Sequence, residues 1–419
     1  MKKKVDVVIF HVDANAYFAS CAGSRNPWLW GRAYVVGGDE EARHGIVLAA
    51  SLLAKKAGIK TGNTLWEARQ RYPNLIVVRP DYDFYFYMTK RMRAIFDEYS
   101  DRVEPFGLDE AWIDLTGNET LESAAILADK LRERIKRELG ITVSIGVASD
   151  KIMAKLGSDY KKPDATTVIG PNDIERIAWP LPASDLLCVG PSTAKKLAKA
   201  NIKTIGELAC APIDLLCKLL GKNGAMIQMF ARGEDKTPVA VTGHSFPDKS
   251  VGNSSTMRKD LVAQDEVRMA FWMLAESVAE RLRENGFYTK TVKIHIRDKE
   301  LHGFDRQMTI SQPTFLASEL VNHAMKLFNQ CYSLERQLPI RSIGICGMNL
   351  IPTTGEMQMS MLPDDLKRQK QEMLEKTIDG IRKRFGHFAI QRAVLAADPM
   401  GQTNPKDNHT VHPVAYIVG

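Results

Sequence analysis

The chain has only six cysteines in 419 residues, and no two of them form a CxxC pair. Cys21, Cys188, Cys210, Cys217, Cys331 and Cys346 are scattered, which speaks against a disulfide framework and fits reduced thiols in the cytoplasm. A membrane-crossing apolar run is missing too. The opening MKKK and the apolar residues after it start like a signal peptide, but Asp6, His11 and Asp13 break the run. Nor is there a dense basic arm. The net charge of +7 and pI near 8.9 favour a polyanionic partner only mildly, so a nucleic-acid reading must come from motifs. Hydrophobic content of 44% and charged content of 26% are those of an ordinary globular chain, with room for about two to four domains.

What is present is an unusual placement of acid. Residues 103–115, VEPFGLDEAWIDL, set Asp109 and Glu110 between apolar flanks and predict two short strands meeting at a turn. Adjacent carboxylates at the tip of an apolar hairpin repel one another unless a cation lies beside them, and hard oxygens suit a divalent metal. A third carboxylate, Asp13, ends the apolar strand VDVVIFHV of residues 5–12. The stretch between the two acidic sites reads as mostly helical and irregular. After the hairpin come a helix over 119–139 and a strand over 141–147. That order is the split βαβ arrangement of a ferredoxin-like sheet, in which the first strand end and the central hairpin turn share an edge. Asp13, Asp109 and Glu110 are therefore expected to converge as a two-metal site for phosphoryl chemistry.

The segments VDANAYFAS (12–20) and GLDEAWID (107–114) resemble the two signature motifs of Y-family translesion DNA polymerases, of the bacterial UmuC/ImpB/MucB group. The likeness runs over most of the chain. It implies a multidomain α/β right hand: a ferredoxin-like palm (1–171) with small fingers inserted at about 28–75, a helical helix-hairpin-helix thumb (172–242), a linker (243–252), an α+β little finger (253–352) and a C-terminal tail (353–419). It implies that Asp13 and Asp109 bridge two Mg²⁺ ions, with Glu110 and the Ala14 carbonyl as further ligands. Backbone around Tyr17 would meet the triphosphate, and Phe18 would be the steric gate against ribonucleotides. The run 48–62 aligns with a fingers helix that usually carries Tyr and Arg, here Leu52 and Lys55, with Leu52 expected to pack. Lys162, in the Lys-Pro that ends the helix after the palm, matches the lysine for the β- and γ-phosphates, with Lys161 beside it.

In the thumb, Cys188-Val189-Gly190 stands where the family usually has Gly-Val-Gly, and Gly190 would offer a backbone N–H to a DNA phosphate. Alternation in TVKIHIR (291–297) puts Lys293, His295 and Arg297 on one strand face, suited to tracking the DNA backbone. Gln358, Met361 and Leu362 in QMSML resemble the peptide with which bacterial polymerases dock on the sliding clamp. A charged helix follows over 363–384. The implied partners are primer–template DNA, dNTP and the clamp, and the place of action is the nucleoid. Two rivals are a non-catalytic DNA-binding accessory protein with the same fold and a nucleotidyl cyclase. Retention of three carboxylates speaks against the first. The helix-hairpin-helix and final domain have no use in the second.

Overall fold

The computed structural model describes residues 7–396 except 42, 44, 118, 245–247 and 355–362. The chain divides into two compact units. Residues 7–38 and 45–244 belong to the first, and residues 39–41, 43 and 248–396 to the second.

In the first unit, β1 (Ile9–Ala14) leads into α1 (Tyr17–Arg25). A small sheet of β2 (Tyr34–Gly37), β3 (Val47–Ala50) and β4 (Ile76–Val78) follows, with α2 (Leu52–Lys56) and α3 (Leu65–Arg71) between its strands. Then come α4 (Tyr82–Asp97), the hairpin β5 (Val103–Pro105) and β6 (Glu110–Asp114), α5 (Leu121–Leu139), β7 (Val143–Ala148), α6 (Lys151–Tyr160) and β8 (Thr166–Ile169). The large sheet has the order β5-β6-β1-β7-β8. Its first four strands pair antiparallel in ferredoxin-like fashion, and β8 adds a parallel fifth. The apolar run around β1 is explained by burial on both faces. Phe10, Val12 and Ala14 enter the core under α4 and α5, while Ile9 joins the core of Ile152 and Met153 on α6.

Two sequence expectations need correction here. The stretch between the acidic sites contains a three-stranded sheet of its own, because Val35, Val47, Ala50, Leu65 and Ala68 close a separate small core. And the run 48–62 is not one helix. Its start is strand β3, Ser51 caps α2 by accepting from the Ala54 N–H, and Gly58 and Gly62 at positive φ end it.

The rest of the first unit is helical: α7 (Pro191–Lys199), α8 (Ile205–Cys210), α9 (Ile213–Leu220) and α10 (Lys222–Ala231). In the second unit, β9 (Ser250–Leu261), α11 (Gln264–Glu284), β10 (Phe287–Asp298), β11 (Gly303–Thr314), α12 (Ala317–Cys331) and β12 (Ile340–Pro352) form an antiparallel sheet of order β11-β10-β12-β9. Val292, Ile294, Ile296, Ile343 and Ile345 of the sheet pack with α11 and α12. Because β9 starts at Ser250, the expected linker ends before that residue. The helix expected after 362 exists as α13 (Pro363–Phe385), but it is no free tail. Glu375 and Arg382 are buried, and both are ion-paired to α11.

Candidate active site

Strand register brings the three acidic residues together. Asp13 pairs with Glu110 across the β1–β6 ladder, and the Ala14 N–H donates to the Asp109 carbonyl at 3.0 Å. Two side chains of α4 hold the loop between β5 and β6. Thr89 Oγ1 donates to the Leu108 carbonyl at 2.9 Å, and Arg93 Nη2 to the Gly107 carbonyl at 2.7 Å. Gly107 takes φ +92°, where other residues are strained. Asp13, Asp109 and Glu110 thereby line one cleft of about 410 Å³, together with Ala14, Tyr17, Phe18, Lys55, Lys155, Asp159 and Lys162.

The cleft has more acid than it can comfortably hold. Burial, then Glu110 and Asp13, push the Asp109 carboxyl up to about 7. Asp13 is raised by burial and by Glu110, against the pull of Lys162. Two ammonium groups relieve part of the repulsion: Lys162 Nζ lies 2.7 Å from Asp13 and Lys155 Nζ 2.5 Å from Glu110. No three His, Cys, Asp or Glu side chains among the described residues stand in a ready metal cluster. The donor set itself fits a divalent cation: hard oxygens, mutually repelling, at one sheet edge, with Asp109 lacking an ion-pair partner among the described residues.

Opposite the acids is the N-terminus of α1. Ala16 is left-handed there, and no side chain among the described residues caps the helix. The Tyr17 side chain turns into the core, where its hydroxyl donates to the Tyr85 carbonyl at 2.7 Å. Phe18 is half-buried at the cleft wall, stacked on Tyr85 at 4.5 Å and edge-on to Tyr82 at 5.9 Å. Lys55 and Lys162 both reach the cleft, whereas Lys161 lies over the Tyr160 ring. The packing role expected for Leu52 is wrong. It is 50% exposed, because a helix as short as α2 buries only Ala54.

The model of the impB/mucB/samB family matches residues 12–159, and that of its C-terminal domain matches residues 248–361. The thumb-domain model of DNA polymerase-iota matches residues 184–235. A DNA polymerase IV of Acetivibrio thermocellus is 42% identical over 392 residues, which is 93% of this chain and 98% of that relative. The chain belongs to the impB/mucB/samB family of Y-family translesion DNA polymerases. The polymerase is also 36% identical to the DNA polymerase IV of Moorella thermoacetica over 394 residues, 93% of this chain and 96% of the relative. A solved Y-family DNA polymerase chimera of Dbh and Dpo4 shares the fold, with TM-score 0.73 and 22% identity over 82% of this chain and 99% of the other. As a DNA-directed DNA polymerase it acts on DNA and dNTPs, and the family uses divalent metal. No helix among the described residues is long and apolar enough to cross a membrane.

Elsewhere in the polymerase the expected binding residues meet mixed surroundings. Cys188 does take φ +70°, so the turn before α7 keeps its left-handed residue without a glycine. Gly190 caps α7, Pro191 follows at the first helical position, and among the described residues nothing crowds a Cβ position at Gly190. Gly221 makes a tight αα turn at φ +63°, and Gly224 lets α10 lie close on α9 at Leu216. Lys293 and His295 both face Asp305, at 3.3 and 2.7 Å, and Arg297 Nε donates to the Leu301 carbonyl, so that strand face carries internal partners. Gln358, Met361 and Leu362 lie outside the described residues.

Sequence reasoning passed over Lys155, Asp159 and His11, all of which touch the carboxylates or their lysines. A signal was available: Lys155, Asp159 and Lys162 recur three to four residues apart, on one face of α6 and its exit. It also passed over the buried pair of Lys151 and Glu104, joined by both carboxylate oxygens at 2.7 Å. Glu104 further accepts from the Ala240 N–H at 2.9 Å, tying the hairpin to the chain leaving the helical segment.

Proposed function

We propose that this cleft carries out template-directed transfer of a deoxynucleoside monophosphate to a primer 3′-hydroxyl, opposite damaged or undamaged template. The observation that carries the reading is the meeting of Asp13, Asp109 and Glu110 with Lys55, Lys162 and an uncapped helix N-terminus in one cleft. Asp13, Asp109 and Glu110 would hold two Mg²⁺ ions, with the Ala14 carbonyl as a further ligand. When bound, the ions neutralise charge on the attacking oxygen and on the pyrophosphate that leaves. The N–H groups of Tyr17 and Phe18 would donate to triphosphate oxygens. Lys55 and Lys162 add cationic contacts, the latter by letting go of Asp13. The Phe18 ring, backed by Tyr85, stands against the sugar and excludes a 2′-hydroxyl.

Beyond the cleft, we assign the palm to residues 1–171 with fingers at about 28–75, the thumb to 172–242 and the little finger to the sheet of the second unit. The Gly190 N–H would contact one DNA phosphate regardless of base sequence, and Lys293 and Arg297 would follow the backbone. Gln358, Met361 and Leu362 would tether the polymerase to a bacterial sliding clamp at the nucleoid.

Primer extension on templates with and without a lesion tests the assignment. Asp13→Ala and Glu110→Ala should each cut extension by orders of magnitude while DNA binding, read by fluorescence anisotropy, stays within a few-fold of the parent. Near-parental extension by either variant would sink the assignment. Phe18→Ala should admit ribonucleotides, and undiminished discrimination would return Phe18 to mere packing.

A further inference from the structure

On the reading that Asp13, Asp109 and Glu110 hold divalent cations, we propose that Glu110 has two seats and that His11 supplies the second. The first is the seat seen here, with Lys155 Nζ on Glu110 Oε2. His11 is the group this arrangement leaves unused. It is fully buried, and its Nδ1 lies 2.8 Å from Ser158 Oγ. Its Nε2 has no hydrogen-bond partner among the described residues, although Glu110 Oε2 is only 3.2 Å away. A buried polar nitrogen left unpaired is costly, so its closeness to Glu110 points to a partner gained in another state of the site.

The backbone explains why the imidazole sits there. His11 and Asp13 are two apart on β1 and share a face, and Asp13 is in register with Glu110. On its other side, His11 is in register with Gly146 of β7. A Cβ on Gly146 would lie 1.8 Å from the Ala154 carbonyl oxygen and 2.5 Å from the Ser158 nitrogen. Glycine thus lets α6 lie directly on the strand, which seats Ser158 on the imidazole and Lys155 on Glu110. Trp112, edge-on at 5.1 Å between ring centroids, keeps the ring from swinging away.

Lys155 and His11 compete for the same oxygen, Oε2. When a cation takes over the charge of the ammonium group, Lys155 is displaced and His11 Nε2–H holds the carboxylate from the protein side. That tautomer needs the Ser158 hydroxyl to donate to Nδ1. In this structure the hydroxyl donates to the Lys155 carbonyl at 2.8 Å, so its rotation accompanies the release of Lys155. His11 touches a ligand rather than a substrate, which makes it a positioning residue.

The test is titration of the full chain with Mn²⁺, without DNA or nucleotide, read by electron paramagnetic resonance. His11→Asn keeps an atom for Ser158 but has none at Nε2, and should weaken Mn²⁺ binding about tenfold, as loss of a carboxylate's supporting hydrogen bond does. His11→Gln places an amide nitrogen near Nε2 and should recover most of the affinity. Lys155→Met should tighten binding by removing the competitor. Parental affinity in a folded His11→Asn protein, or no recovery in His11→Gln, would overturn the proposal. Should His11→Asn not fold, Ser158→Ala spares the ring and still loosens it, and parental affinity there would also overturn it. Unchanged Mn²⁺ binding by Asp13→Asn and Asp109→Asn would instead refute the cation site on which the proposal rests.

Discussion

The polymerase contains two clusters of charge made from similar residues, one closed and one open. In the second unit, three arginines meet three carboxylates. Arg283 pairs with Glu375 and Asp379, Arg382 with Glu276, and Arg392 with Glu276 and Glu375. In the cleft of the first unit, Lys155 takes Glu110, Lys162 takes Asp13 and Asp159, and Asp109 has no ion-pair partner among the described residues. The cationic residue differs for a reason. Arginine presents a planar fork, and Arg283 uses Nε and Nη2 on the two oxygens of Asp379 at 2.6 and 2.8 Å. Lysine is a point charge on a flexible stem and can release its partner. Arginine serves where α13 must stay fixed to α11, and lysine where a carboxylate must change partners.

The largest effect that would break this contrast belongs to Asp109. Asp109→Asn should reduce extension about 1000-fold or more, since the proposed metal site loses a ligand charge. The same change should stabilise the metal-free protein. Asp109 is held at about 7 in the fold against an ordinary 3.8, so the folded form binds the proton more tightly. Stability is therefore greatest below about pH 4 for this group and falls as pH rises through 7. The gain in Tm of Asp109→Asn should be clear at pH 8 and small at pH 5. An equal gain at both values would mean that Asp109 is not strained by its neighbours.

The closed cluster should respond in the opposite sense. Arg283→Met takes the fork from Asp379 and leaves Glu375 with Arg392 alone, and should destabilise the second unit by about 3–5 kcal/mol, the usual result of removing one partner of a buried pair. Chemical denaturation should show it at every pH between 6 and 8. An unchanged unfolding midpoint would show that α13 does not depend on these pairs. The smallest effect sharpens the choice of lysine. Lys155→Arg should grip Glu110 with two N–H groups and raise the Mg²⁺ concentration for half-maximal extension a few-fold, because the cation must displace a stronger rival. A lowered requirement would contradict exchange at Glu110.

The convergence of Asp13, Asp109 and Glu110 was legible because a ferredoxin-like strand order alone puts the first strand beside the central hairpin. The partners of those acids were not. Lys151, Lys155, Lys161 and Lys162 look alike in the sequence. Only the seating of α6 sends the first to Glu104, the second to Glu110, the third over Tyr160 and the fourth to Asp13. Leu52 misled because apolar character implies packing only where a helix is long enough to have an inner face. The charged helix α13 was expected, yet its composition gave no hint that Glu375 and Arg382 face inward. Burial of charge is decided by partners distant in the chain, here Arg283 and Glu276.

The contact of α6 with β7 at Gly146 also sets a dimension. Gly157 faces it, and a Cβ there would come within 3.1 Å of the Gly146 Cα. With no side chain between them, helix and strand meet backbone to backbone. Their spacing is fixed by van der Waals radii rather than by how a core happens to fill. Side-chain packing breathes with temperature and shifts with each substitution; a spacer of zero thickness does neither. The reach from the lysines on α6 to the carboxylates on the sheet is therefore gauged by bare backbone, and changes in the apolar residues behind α4 and α5 can be absorbed without resetting it.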